Sequence, residues 1–261
     1  MSRRLPAILA LGATALVALS ACGGSSASVR TDPKDILTAA LKSAQASTSV
    51  HIEATVDGSL AIDLTKSGTG TPFSLTGTTA IADVDIAKQA AHATFAAPAL
   101  LGLTGDLIVI DGSTYLKSTL TGDQYTKTTG ALGPLPVGSS TPLDLVAQLD
   151  AVLAKPGVAP TKGDDVACGG TQCYAVTIEL TPLELAALGA DSATATLPVN
   201  VSDATLTLQF RVEKTTDHLA GLTATLASPK DGTLKLDLVL SKWGDAVTIA
   251  APPADQVKPA G

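Results

Sequence analysis

The chain has 261 residues, 45% hydrophobic and 16% charged, which excludes a disordered or collagen-like protein and supplies one sizeable core. Its 17 basic and 24 acidic residues leave a formal charge of -7, not the clustered Lys and Arg that displace counterions from nucleic acid, so no nucleic-acid partner is expected. Aromatic residues make up only 3%, which argues against a base-stacking or sugar-stacking shelf and makes the interior aliphatic.

Arg3 and Arg4 precede an apolar run from Leu5 to Leu19, which ends in Ser20, Ala21 and Cys22. A basic start, a run shorter than the roughly 20 residues of a membrane span, and small residues at its end mark residues 1–21 as an export signal rather than a retained helix. Leu19-Ser20-Ala21-Cys22 resembles the bacterial lipobox, which implies cleavage before a cysteine acylated on sulfur. Cys22 is then a lipid anchor and not a nucleophile. The mature chain would keep 15 basic and 24 acidic residues, a charge of -9. Two or three acyl chains hold a protein on a membrane where one is marginal, at about 0.8 kcal/mol per buried methylene. Residues 22–31 read as a lipidated start and flexible tether, so the expected location is the cell membrane, with the body facing the extracytoplasmic envelope.

Asp32-Pro33 opens a helix whose Ile36, Leu37, Ala40, Leu41 and Ala44 share a face. From residue 49 the pattern changes to alternation, the period-2 mark of strands with one buried side. Val50, Ile52, Ala54 and Val56 alternate with polar residues, and Asp57-Gly58 reads as a hairpin turn into Leu60, Ile62 and Leu64. Strands follow over 76–86 and 90–97, and a second Asp-Gly hairpin at Asp111-Gly112 joins residues 107–110 to the strand of Tyr115. Gly130 to Ser140 and Gly157 to Gly170 are candidate gate loops by Gly and Pro content.

Thr141-Pro142-Leu143-Asp144 and Thr181-Pro182-Leu183-Glu184 are near-identical helix openings, each with a capping Thr, Pro at the first helical position and an acid three residues on. Between them lie Cys168 and Cys173. In an exported chain these read as a disulfide that pins a strand entrance; the competing readings are two free thiols or half a metal site, the latter lacking a nearby His. The C-terminal part alternates again. Leu206, Leu208, Phe210 and Val212 are followed by 222–226, by Leu234, Leu236, Leu238 and Leu240, and, after a turn at Trp243-Gly244-Asp245, by Val247 and Ile249. Nine or ten antiparallel strands with helices over one face make an α+β domain spanning 32–253, with 254–261 as a tail. Leu206, Leu208, Phe210, Leu234, Leu236 and Leu238 are candidate wall or core positions.

The chemistry of an enzyme is missing from the sequence. There is no Gly-x-Ser-x-Gly elbow, no Ser-x-x-Lys, no His-Glu-x-x-His and no phosphate-binding or dinucleotide loop. His51, His92 and His218 are dispersed and read as structural or exposed. Asp83 and Asp85 lie two apart on one strand face, as paired acids or a cation site would, but a solvated polar face is the plainer reading. No catalytic residue, cofactor or metal is expected.

The lipobox at Cys22, Leu41-Lys42-Ser43-Ala44 before the strand at 50–56, Ile110-Asp111-Gly112 with Tyr115, Asp123-Gln124-Tyr125, and Leu240-Ser241-Lys242-Trp243-Gly244-Asp245 running to Pro252-Pro253 together resemble the lipoprotein family of mycobacteria and related actinobacteria that contains LppX, LprA, LprF and LprG. The resemblance implies a strongly curved antiparallel half-barrel with helices on its concave face, like the Lol carriers. It also implies a membrane-anchored carrier that holds a multi-acylated lipid or lipoglycan in an apolar cavity and assists its transfer across the envelope. The expected partners are that lipid, the membrane, and a lipid transporter in the cytoplasmic membrane. The rival reading is a closed structural or adaptor lipoprotein that engages a transporter or cell-wall polymer through its surface.

Overall fold

The computed structural model describes residues 29–62, 71–129, 152–153, 155, 157–185 and 203–258. The export signal, Cys22, most of the tether, the Gly130 to Ser140 loop and the helix opening at Thr141 lie outside them. The first element is a helix, α1 (Pro33–Ala46). Asp32 caps it, its carboxylate accepting from the backbone N–H groups of Lys34 at 2.8 Å and Asp35 at 3.3 Å, with Pro33 at the first helical position.

Among the described residues thirteen strands follow: β1 (Ser49–Ile62), β2 (Thr71–Ser74), β3 (Thr78–Asp85), β4 (Ala90–Ala97), β5 (Leu103–Ile110), β6 (Ser113–Ser118), β7 (Gly122–Thr129), β8 (Thr161–Lys162), β9 (Val166–Cys168), β10 (Thr171–Leu180), β11 (Thr205–Glu213), β12 (Leu219–Ser228) and β13 (Gly232–Ser241). They form one antiparallel sheet in the order β7-β6-β5-β4-β3-β1-β13-β12-β11-β10-β8, with β2 paired to β1 and β9 to β10. The first strand therefore sits in the middle, a meander of β3 to β7 on one side and the last strands on the other. A sheet this wide does not stay flat. It is an unclosed, curved sheet with helix packed on one side, the α+β class read from the sequence.

Two local expectations are corrected. Asp57-Gly58 is not a hairpin: β1 runs through it, pairing with β13 without interruption from His51↔Ser241 to Leu60↔Gly232. Gly58 has φ +105°, and a Cβ there would lie 2.1 Å from the carbonyl oxygen of Thr233. The glycine serves close strand approach rather than chain reversal. Asp111-Gly112, by contrast, is the expected two-residue turn between β5 and β6, with φ 50° and 66° at the two positions, the type I′ signature.

The second correction concerns Val247 and Ile249, which form no strand. After Trp243 the chain is fixed to the start of β1, Gly244 N–H donating to Ser49 O at 3.0 Å and Ser49 Oγ to Asp245 O at 2.5 Å. It is next held at the far edge of the sheet: Val257 bridges Tyr125 of β7 in parallel, and Lys258 donates from its N–H to Tyr125 O at 2.8 Å and from Nζ to Thr121 O at 2.6 Å. The described part of the expected tail, 254–258, thus belongs to the folded body. It covers part of an edge strand that would otherwise offer unpaired backbone groups.

The main cluster of buried residues lies at one end of the sheet, with Val50, Val84, Ile108 and Tyr125 buried elsewhere along it. Ile36, Leu37, Ala40 and Leu41 of α1 pack on Tyr174, Val176, Ile178 and Leu180 of β10 and on Phe210 and Val212 of β11, with Leu153 and Val158 completing the cluster. The second predicted helix start on the described chain is present: Thr181 N–H and Oγ1 both donate to the Glu184 carboxylate at 2.7 Å, and Glu184 N–H donates back to Thr181 Oγ1 at 3.4 Å. This is a capping box, with residues 182–185 helical.

Four carboxylates are held below their ordinary values by such contacts: Asp85 by Lys88, Asp165 by Lys214 and then Lys162, Asp237 by Lys235 and then Thr223, and Glu184 by Thr181. A depressed folded-state pKa stabilises the fold above the unfolded carboxylate value and ceases to do so as pH falls through the folded one. Their contribution is expected to be complete above about pH 5 and lost progressively below about pH 4. Urea unfolding midpoints measured from pH 6 down to 2.5 check this, and Asp165→Asn plus Asp237→Asn should flatten the acid limb.

Candidate binding face

Cross-strand register places side chains on faces, and one face of this sheet is apolar almost throughout. One line of directly opposed partners runs Val176, Phe210, Leu222, Leu238, Ala54, Ala80, Phe95 and Gly105, from β10 to β5. A second runs Ile178, Leu208, Ala224, Leu236 and Val56. A third runs Leu240, Ile52, Ala82, Ala93, Leu107 and Leu116. This is the inner face, the side on which α1 sits. The outer face alternates with it and carries His51, Glu53, Thr55 and Asp57 on β1 and Thr223, Lys235 and Asp237 on β12 and β13.

Burial changes along the first line. Val176 and Phe210, under α1, are 1% and 2% exposed, whereas Leu222, Leu238, Ala54, Ala80 and Phe95 are all half-buried. Along this line the apolar face continues across five strands short of full burial, while Val50, Leu60 and Val84 on the same face of β1 and β3 are buried. Alanines supply much of it at positions 54, 80, 82, 91 and 93, and short side chains keep the floor of a curved sheet low, leaving depth above it. Phe95 is the aromatic exception, its ring lying where a Cβ of Gly105 would be, 2.2 Å from Cζ.

The six leucine and phenylalanine positions singled out from the sequence therefore separate. Phe210 is core. Leu206 and Leu208 are partly buried against the core. Leu234, Leu236 and Leu238 stand half-buried on β13, in the open part of the face. The alanines and Ile52 and Val56 of β1 complete that part; their signal was alternation alone, which marks burial without distinguishing core from a pocket wall.

The outer face accounts for the other candidates. His51 Nδ1 lies 2.7 Å from Asp83 Oδ1, and His92 Nε2 lies 3.2 Å from Asp106 Oδ1. Asp83 and Asp85 do share a face, but Asp85 accepts from the Lys88 N–H and Nζ, each at 2.9 Å, so the two acids have separate partners. No group of three or more metal-ligating side chains is assembled among the described residues.

Cys168 and Cys173 are joined in a disulfide across the β9–β10 hairpin, their Cα atoms 6.0 Å apart, with Gly169-Gly170 forming its turn at φ 55° and 87°. It staples the entrance of β10, the strand that carries Tyr174, Val176 and Ile178 into the core. Closing so short a loop is expected to contribute about 2 kcal/mol. Urea unfolding of Cys168→Ala plus Cys173→Ala against the parent chain measures it.

No protein-family model matches the chain, and no curated protein does. Among solved structures it is similar to LprF from Mycobacterium bovis, with 19% identity, 84% of this chain and 96% of that one covered, and a TM-score of 0.55. It is also similar to the Mycobacterium tuberculosis lipoprotein LppX, with 12% identity, 84% and 98% coverage and a TM-score of 0.50. The resemblance read from the sequence holds at the level of the fold: this chain has the fold of LprF and LppX.

Proposed function

We propose that this chain is a non-enzymatic, membrane-anchored lipoprotein that binds acylated lipid between the inner face of its sheet and the elements above it, and assists lipid transfer across the cell envelope. The observation that carries the reading is the half-buried apolar line from Leu222 through Leu238, Ala54 and Ala80 to Phe95. Soluble proteins rarely leave so much contiguous apolar sheet short of full burial, and such surface marks a ligand or membrane contact. Acyl chains suit it chemically. The face offers aliphatic side chains with few hydrogen-bonding groups, and each methylene moved from water contributes about 0.8 kcal/mol. One of the two similar structures is itself named a lipoprotein, and the sequence before residue 29 has the signal and the Cys22 of one.

The test is binding of a fluorescent long-chain fatty acid to the purified chain. Saturable binding that is displaced by diacyl lipid and not by a short-chain acid of the same charge supports the reading. No saturable binding, with the fold intact by circular dichroism, favours the surface-engaging adaptor.

A further inference from the structure

Leu240 to Trp243, within the most distinctive phrase of the sequence, build one wall of a groove of about 520 Å³ on the outer face. The floor is β11 to β13 at Arg211, Ala220 and Val239, and the opposite wall is the disulfide hairpin at Cys168 and Gly169. Trp243 is fixed, its indole N–H donating to Leu219 O at 3.0 Å and its ring stacked on His218 at 5.3 Å.

Arg211 is the unusual group. It is half-buried, and its guanidinium lies flat on β12 over Gly221, where a Cβ would come within 2.1 Å of Nη2. Among the described residues it makes one hydrogen bond, a long one of 3.5 Å to Leu238 O, and no ion pair. Of the neighbouring carboxylates, Asp237 is held by Lys235 at 2.7 Å and Thr223 at 2.5 Å, and Glu213, which lines the groove, accepts from Thr216 Oγ1 at 2.5 Å. A planar fork of donors is thus held partly out of water, near enough to Asp237 for the carboxylate to feel its charge but with no carboxylate in ion-pair contact among the described residues, an arrangement suited to a two-pronged oxyanion. Lys242, exposed at the rim, adds a second positive charge.

We propose that this groove binds a phosphate group, with Arg211 as its principal ligand and Lys242 as a second cation. The phosphate belongs either to a soluble phosphorylated molecule or to a phospholipid headgroup, and the site is independent of the acyl-binding face. Trp243 is the only tryptophan in the chain, so its emission reports on this groove alone. The experiment titrates the full chain with glycerol 3-phosphate and, separately, with phosphatidylglycerol and with digalactosyldiacylglycerol vesicles, the latter free of phosphate.

The expected result is a saturable change in Trp243 emission with glycerol 3-phosphate or with phosphatidylglycerol vesicles, and none with the phosphate-free digalactosyldiacylglycerol vesicles. A response to glycerol 3-phosphate assigns a soluble ligand; a response to phosphatidylglycerol vesicles alone assigns a headgroup. Arg211→Gln should weaken either response about tenfold or more. Gly221→Ala should do the same while keeping the arginine, because its methyl displaces the guanidinium; this variant and Lys242→Gln decide the matter if Arg211→Gln does not fold. No response to either probe, or an undiminished response in the folded variants, overturns the proposal.

Discussion

Gly58→Ala is expected to cost about 4 kcal/mol of stability, a large share of what a single domain possesses. Two effects add. At φ +105° a residue with a Cβ is strained whatever its surroundings, by about 1–3 kcal/mol. The new Cβ would also lie 2.1 Å from Thr233 O in β13, so the central pair of the sheet must part to admit it. Gly232 stands in the reciprocal position, with φ +110° and a Cβ 2.5 Å from Ser59 O, and Gly232→Ala should behave alike. Once one substitution has separated β1 from β13 the second meets less resistance, so the double variant should lose less than the sum. Gly112→Ala is the control: its φ is +66° but nothing lies within 4 Å of the added carbon, and about 1 kcal/mol is expected. Urea unfolding followed by circular dichroism measures all four.

The second large effect is on binding. Leu236→Lys plus Leu238→Lys places two ammonium groups on the half-buried part of the inner face. If acyl chains lie there, affinity for a long-chain fatty-acid probe should fall about tenfold or more, since each buried charge must be desolvated against hydrocarbon. The fold should survive, because a half-buried lysine extends its ammonium to water. Thr233→Lys, exposed on the outer face of the same strand, should leave probe binding unchanged. If these two leucines were instead closed core, the double variant would lose several kcal/mol of stability and unfold. The stability of the variant thus separates the carrier from the closed adaptor before any ligand is added.

Much of this architecture is legible in the sequence because its signals are local. Asp32-Pro33, Thr181-Pro182 and Asp111-Gly112 each carry their own hydrogen-bonding or torsional reason and appear in the structure as helix caps and a turn. Asp57-Gly58 carries the same dipeptide and means something else, because the glycine answers to Thr233, 175 residues away. The C-terminal segment is similar: Val247 and Ile249 alternate as a strand would, yet their stretch leads to the β7 edge, an anchoring point no local pattern reveals. The candidate face was legible as apolar, since alternation runs through β1 and through β11 to β13, which form much of it. Its division into core and open surface was not, because that depends on where α1 lands, and α1 covers β10 and β11 rather than β13. Arg211 was hidden for a like reason: in the sequence it is one polar residue in an alternating strand, and its distinction lies in Gly221 beneath it and in neighbours already paired.

The most direct measurement is native mass spectrometry of the chain purified, without added lipid, from an actinobacterial host. A lipid carrier is expected to show a population heavier than its own covalent mass by that of one or more acylated lipids, released on collisional activation and reduced in Leu236→Lys plus Leu238→Lys. A folded protein found only at its covalent mass, in both the parent and the variant, would contradict the carrier reading.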